Sequence, residues 1–94
     1  MFSVYIITNK RGGTLYIGQT DNLQGRMWEH KNKVLSGFSN KYNLDKLVWY
    51  EEHENREGAL TREAQMKEWN RAWKVKRIEN MNPNWADLTE SLGV

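Results

Sequence analysis

Cysteine is absent from the 94 residues, and proline occurs once. The first absence excludes disulfide scaffolds, thiolate zinc centres and cysteine nucleophiles together, and it fits a reducing compartment such as the cytoplasm. No apolar run approaches the roughly 20 residues that a bilayer crossing requires, so no membrane partner is expected. In the opening stretch MFSVYIITNKRGG the apolar residues precede the charges, the reverse of a signal peptide. A large charge excess is missing too. With 14 Lys and Arg against 12 Asp and Glu, any basic surface has to come from arrangement. A chain of this length supports one core, and hence one domain over residues 1–94. What the sequence has in quantity is large aromatic side chains, five Trp and four Tyr. These either fill a small core or offer stacking faces to bases.

Phe2–Thr8 (FSVYIIT) is a β-branched and aromatic run that predicts a strand. Residues 9–13 (NKRGG) are turn chemistry, and residues 14–20 (TLYIGQT) predict a second strand, so the two form an antiparallel hairpin. Alternation puts Val4, Ile6 and Thr8 on one face of the first strand, with Ser3, Tyr5 and Ile7 on the other. In the second strand Tyr16 and Gly18 share a face, opposite Leu15 and Ile17. Thr20 or Asp21 is the expected N-cap of a first helix, with Asp21 and Gln24 at capping-box spacing. Leu23, Met27, His30 and Val34 then recur along one helical stripe. Gly25 inside that helix has no local reason in the sequence.

Residues 36–41 (SGFSNK) read as a loop and residues 46–51 (KLVWYE) as a third strand. A long helix is predicted over residues 55–73, with Ala59, Leu60, Ala64, Met66, Trp69 and Trp73 as its apolar members. Residues 74–81 continue helically until Pro83 marks the end, and residues 85–92 predict a last short helix. The order β-β-α-β-α-α gives an α+β fold, a three-stranded, mainly antiparallel sheet flanked by helices.

Four features depart from ordinary core patterning. Tyr5 and Tyr16 lie on adjacent strands of one hairpin, on faces that can meet. Beside them Gly18 leaves room for a ligand or another backbone, or simply for a cross-strand aromatic pair. Arg26 and His30 are four residues apart on one helix side. His30 falls in the apolar stripe, either as a hydrogen-bonded core residue or, with Arg26, as the pair that phosphate chemistry uses. Glu63 falls within the apolar arc of its helix. It is either ion-paired with Lys67 one turn on or a ligand for a hard divalent cation completed by waters. Finally, Lys10, Arg11, Lys31, Lys33, Lys41, Lys67, Arg71, Lys74, Lys76 and Arg77 are either a solvated face or a set that flanks a phosphate backbone.

Taken together these residues resemble the GIY-YIG nuclease superfamily, and in particular its small standalone bacterial members, over nearly the whole chain. Ser3-Val4-Tyr5 stands where the family has Gly-Ile-Tyr, and Tyr16-Ile17-Gly18 matches the second motif outright. Arg26 and His30 match the family's Arg and the His that many branches carry four residues later. Glu63 in LTREAQMKEW matches its metal-binding Glu. Asn82 in MNPNW, with Asn84 as second candidate, matches its late Asn.

The resemblance implies a metal-dependent endonuclease that hydrolyses DNA phosphodiesters, in repair or recombination. Glu63 would hold Mg²⁺ or Mn²⁺, Arg26 would neutralise charge on the phosphoryl oxygens, and Tyr5, Tyr16 or His30 would activate or position the water. Gly18, Lys31, Lys67, Arg71 and Asn82 are the expected nucleic-acid contacts. With few phosphates engaged, binding is expected to be weak, salt-sensitive and largely independent of sequence, so that any preference comes from DNA shape or from a partner protein. Two other readings are a nucleic-acid-binding domain with weak or lapsed activity, and a protein-interaction domain built on an exposed patch of Trp69, Trp73 and Trp85.

Overall fold

Six consecutive residues of the first strand, Ser3 to Thr8, are buried, which only a strand covered on both faces can be. A computed structural model describes residues 1–34 and 37–92 of the chain and shows why. Strand β1 (Phe2–Thr8) is the middle of a three-stranded sheet of order β2-β1-β3, between β2 (Leu15–Thr20) and β3 (Lys46–His53). Both pairings are antiparallel. Helix α1 (Leu23–Lys31) and the single turn α2 (Phe38–Lys41) separate β2 from β3. Helices α3 (Arg56–Glu68) and α4 (Arg71–Met81) follow, and a 3₁₀ helix spans Leu88–Leu92.

The two faces of β1 carry two cores. Val4 and Ile6 pack with Ile17 of β2, Val48 and Trp49 of β3, Ala59 and Met66 of α3, Ile78 of α4, and Trp85. Tyr5 and Ile7 pack on the other face with Leu23 and Met27 of α1, Leu44 and Leu47. Opposite β1 the pairing passes from Ile6↔Trp49 to Ile7↔Leu47. Val48 is the extra residue, and this irregularity lets it join Trp49 on the same side. The alternation read from the sequence and the α+β class both match this arrangement.

Several boundaries differ, each for a local reason. Helix α1 is capped by Asn22, not Thr20 or Asp21: the Asn22 Oδ1 accepts the Gly25 N–H at 3.0 Å. Thr20 Oγ1 instead accepts the Asn22 N–H, and Gln24 donates its side-chain amide to the Leu92 carbonyl rather than completing a capping box. This arrangement also explains Gly25. A Cβ there would lie 2.4 Å from the Asn22 amide nitrogen, so any side chain would displace the cap.

The predicted helix over 55–73 is interrupted. Asn55 caps α3 as expected, but Trp69 and Asn70 turn extended, and Asn70 then caps α4 by accepting the Trp73 N–H at 2.9 Å. Asn side chains compete with helical hydrogen bonding, which favours such a restart. Of the predicted apolar stripe, Ala59 and Met66 are buried, Trp69 is half-buried, and Leu60, Ala64 and Trp73 are exposed. Val34 lies beyond the end of α1 and is exposed as well. Residues 38–41 form a helical turn where a loop was expected, with Ser36 outside the described residues. No helix among the described residues is long and apolar enough to cross a membrane.

Candidate active site

The site begins with a cross-strand pair. Tyr5 of β1 stands directly opposite Gly18 of β2, and its ring lies across the glycine. A Cβ at position 18 would sit 2.6 Å from the Tyr5 hydroxyl and 3.1 Å from the Tyr16 ring. The space that Gly18 opens is therefore filled by Tyr5 itself, which is 1% exposed. Ile7 is paired with Tyr16, so both tyrosines project toward the α1 side.

Helix α1 places His30 between them. Its Nε2 lies 3.3 Å from the Tyr5 hydroxyl, and its ring meets the Tyr5 and Tyr16 rings edge-on at 5.9 and 6.3 Å. His30 is buried and its Nδ1 has no hydrogen-bond partner. Burial, with help from the nearby Arg26 charge and against that of Glu29, lowers the imidazole pKa below its ordinary value, so His30 is neutral at pH 7. Burial, then the neighbouring Tyr16 and Glu63, raises the Tyr5 phenol well above its ordinary value. The Arg26 charge pulls the other way, by more than Glu63 pushes but less than burial and Tyr16 do, and Tyr5 is a protonated phenol at rest.

One consequence for stability follows from His30. Because its folded pKa is lowered, protonation favours the unfolded chain, so this stabilisation is full above the ordinary value of 6.5 and falls as pH drops through it. Thermal midpoints measured between about pH 8 and pH 5 should decline more steeply for the wild type than for His30→Gln. Parallel profiles would remove His30 as the source.

Arg26, one turn before His30, lies close enough to the Tyr5 phenol to lower its pKa. Its Nε is 3.3 Å from Glu29 Oε1, an ion-pair contact, yet that buried Nε has no hydrogen bond. A guanidinium with an unmatched N–H is prepared to bind an anion. Arg26 also lines a shallow depression of about 190 Å³ with Gln19, Thr20 and a second cation, Arg56.

Although α3 packs mainly against the opposite face, its polar residues reach the tyrosine side at β2. Lys67 Nζ lies 6.0 Å from the centre of the Tyr16 ring and 3.2 Å from Glu63 Oε2. The Glu63 carboxylate is only 18% exposed, whereas Lys67 is half-exposed. Among the described residues no group of three His, Asp or Glu is gathered as a metal cage. A hard cation held by one carboxylate, waters and a substrate oxygen does fit Glu63, since its single partner is a flexible ammonium that can move aside.

Three expected nucleic-acid contacts are held elsewhere. Lys31 is tied by its ammonium to the Asp45 carbonyl at 2.9 Å and to the Asp87 carboxylate at 2.6 Å. Burial would raise the Asp87 carboxyl, but Lys31, Thr89 and the Leu47 N–H together hold it below its usual value. Arg71 donates to the Gly12 and Gly13 carbonyls and so clips α4 to the β1–β2 loop. Asn82 is buried, donates to the Val48 and Ala86 carbonyls and accepts the Ala86 N–H. Its amide fixes the turn after α4 and has no N–H left to donate to a phosphate.

Sequence reasoning missed Phe38 and Tyr42. Phe38 stacks on Tyr16 at 6.2 Å and meets Tyr42 at a tilt, 4.7 Å away, forming an aromatic wall from the site to the surface. Glu29, the Arg26 partner, was legible as an i, i+3 pair.

No curated protein and no solved structure matches the chain significantly. The family profile of the GIY-YIG catalytic domain matches residues 1–77, a span that contains Tyr5, Tyr16, Arg26, His30 and Glu63 and runs from β1 into α4. The chain belongs to the GIY-YIG family of nuclease domains.

Proposed function

We propose that this domain, one unit over residues 1–94, hydrolyses DNA phosphodiester bonds with the help of Mg²⁺ or Mn²⁺ at Glu63. The observation that carries the reading is the convergence of two tyrosines, a neutral histidine, an under-bonded arginine and a shielded carboxylate from β1, β2, α1 and α3. Arg26 binds the non-bridging oxygens of the scissile phosphate, and its bond to them strengthens as negative charge develops. A cation at Glu63, when bound, supplies Lewis-acid stabilisation of that charge and of the leaving oxygen.

Tyr16, the more accessible of the two phenols, orients the attacking water. The Tyr5–His30 pair stays uncharged behind it, so no competing positive charge from the imidazole draws the phosphate away from Arg26. Near the site, Lys67 and Arg56 meet the flanking backbone, and with few phosphates engaged binding is weak and salt-sensitive. A reducing, cytoplasmic setting and a part in repair or recombination accord with a cysteine-free chain of this family.

The test is incubation of the pure protein with labelled duplex, branched and single-stranded DNA. Strand scission is expected with Mg²⁺ or Mn²⁺ and none with EDTA. Cleavage that persists in EDTA, or no cleavage of any substrate with either metal, would remove the reading.

A further inference from the structure

The α3–α4 junction carries a groove that the active site does not use. It measures about 230 Å³ and is lined by Trp69, Trp73, Lys76, Arg77 and Asn80. Trp69 anchors it: half-buried, it packs against the Val4–Ile6 core, with the Arg62 and Arg77 guanidinium groups 5.2 and 5.5 Å from its ring centre. Trp73 behaves differently. It is 60% exposed, and its aromatic neighbour is the Trp69 ring, met edge-on at 6.3 Å. An indole so exposed contributes little to the fold and presents a free face. Trp85 does not extend this patch. It is buried, with its indole N–H bonded to Glu79, so the three-tryptophan patch of the protein-interaction alternative does not form.

The charge around Trp73 is predominantly positive. Helix α4 contains Arg71, Lys74, Lys76 and Arg77 against Glu79 alone, four cations less one anion, or +3. The whole chain is +2, so the rest sums to −1. Lys74, Lys76 and Arg77 form no ion pair among the described residues. A polyanion that carries flat apolar rings matches both the positive charge and the exposed indole. We propose that this groove binds unpaired nucleotides, one base stacking on Trp73 while the adjoining phosphates meet Lys76 and Arg77. A continuous duplex offers no base face, so the groove selects single-stranded or branched segments. The choice of nucleic acid as occupant rests on the nuclease reading; the groove and its charge do not.

The experiment measures fluorescence anisotropy of a labelled oligo-dT of about twelve nucleotides and of a duplex of equal length, in EDTA. The protein carries Glu63→Ala, with and without Trp73→Ala. Trp73→Ala is expected to weaken single-strand binding roughly 5- to 100-fold and to change duplex binding less than about twofold. Trp73→Phe should restore most of the loss. Lys76→Glu with Arg77→Glu should flatten the salt dependence on the single strand by about 1.4 in slope, from two phosphates. Because Trp73 is exposed, unchanged thermal unfolding of Trp73→Ala verifies the fold.

Equal single-strand affinity with and without Trp73 would overturn the proposal. So would self-association in sedimentation that Trp73→Ala abolishes while DNA binding stays unchanged, since the face would then join copies of the chain. A protein that binds single strands through Trp73 but cleaves nothing would keep this inference and lose the nuclease reading. One that cleaves DNA but ignores Trp73 would do the reverse.

Discussion

Glu63→Ala is expected to leave the protein folded and to reduce DNA cleavage by about 10³-fold or more. The effect on catalysis is expected to be large because, among the described residues, Glu63 is the carboxylate beside the tyrosines that would hold a hard cation, and several kcal/mol of charge stabilisation would depend on it, each 1.36 kcal/mol being about tenfold in rate. The effect on folding is small. The Glu63 partner is Lys67, one turn away and half-exposed, and such pairs contribute only about 0.3–0.5 kcal/mol. Alanine also continues the helix without penalty. Cleavage rate and thermal midpoint measured on the same preparation separate the two. Wild-type cleavage by the variant would move the metal away from Glu63, and a collapsed midpoint would mean that the carboxylate holds the fold.

The second large effect is expected at Gly18. A methyl group there would meet the Tyr5 hydroxyl at 2.6 Å and its ring carbon at 2.7 Å. Tyr5 is enclosed by the Ile7, Leu23, Met27, Leu44 and Leu47 core and cannot withdraw without opening that packing. Overpacking costs about 1–3 kcal/mol, and losing the Tyr5–His30 contact adds about 1 kcal/mol. Gly18→Ala should therefore lower the melting midpoint by roughly 10–25 °C in a domain of this size. It should also abolish activity, since Tyr5, His30 and Tyr16 would all shift. In a Tyr5→Leu background, which frees the space, the same substitution should cost far less. A cost that is equal in both backgrounds would place the strain elsewhere.

These two residues also mark what the chain revealed before its structure was known. The strand faces of Tyr5, Tyr16 and Gly18, and the helical interval from Arg26 to His30, depend on periods of two and of 3.6 residues, which are local properties. Glu63 could be placed in its helix the same way. Contacts between distant segments left no such trace. Lys31 read as a free cation because Asp87 is 56 residues away. Asn82 read as a ligand because its partner, the Val48 carbonyl, is 34 residues back. Phe38 could not be assigned to Tyr16 by any spacing. The break at Asn70 is a different failure: its capping preference was visible, but the apolar residues on either side suggested a continuous helix.

Strand β1 contributes alternate residues to both hydrophobic clusters, Val4 and Ile6 to one, Tyr5 and Ile7 to the other. The two layers therefore share a strand, and the described residues are expected to unfold together rather than one layer at a time. For the catalytic side this has a dynamic meaning. Tyr5, on this central strand, is held by the fold as a whole, whereas His30 is held by the packing of α1 through Leu23 and Met27. Flexibility that would admit a substrate is then expected in the peripheral parts, the Arg26 and Lys67 side chains and the exposed wall of Phe38 and Tyr42, with Tyr5 the most firmly held of the group.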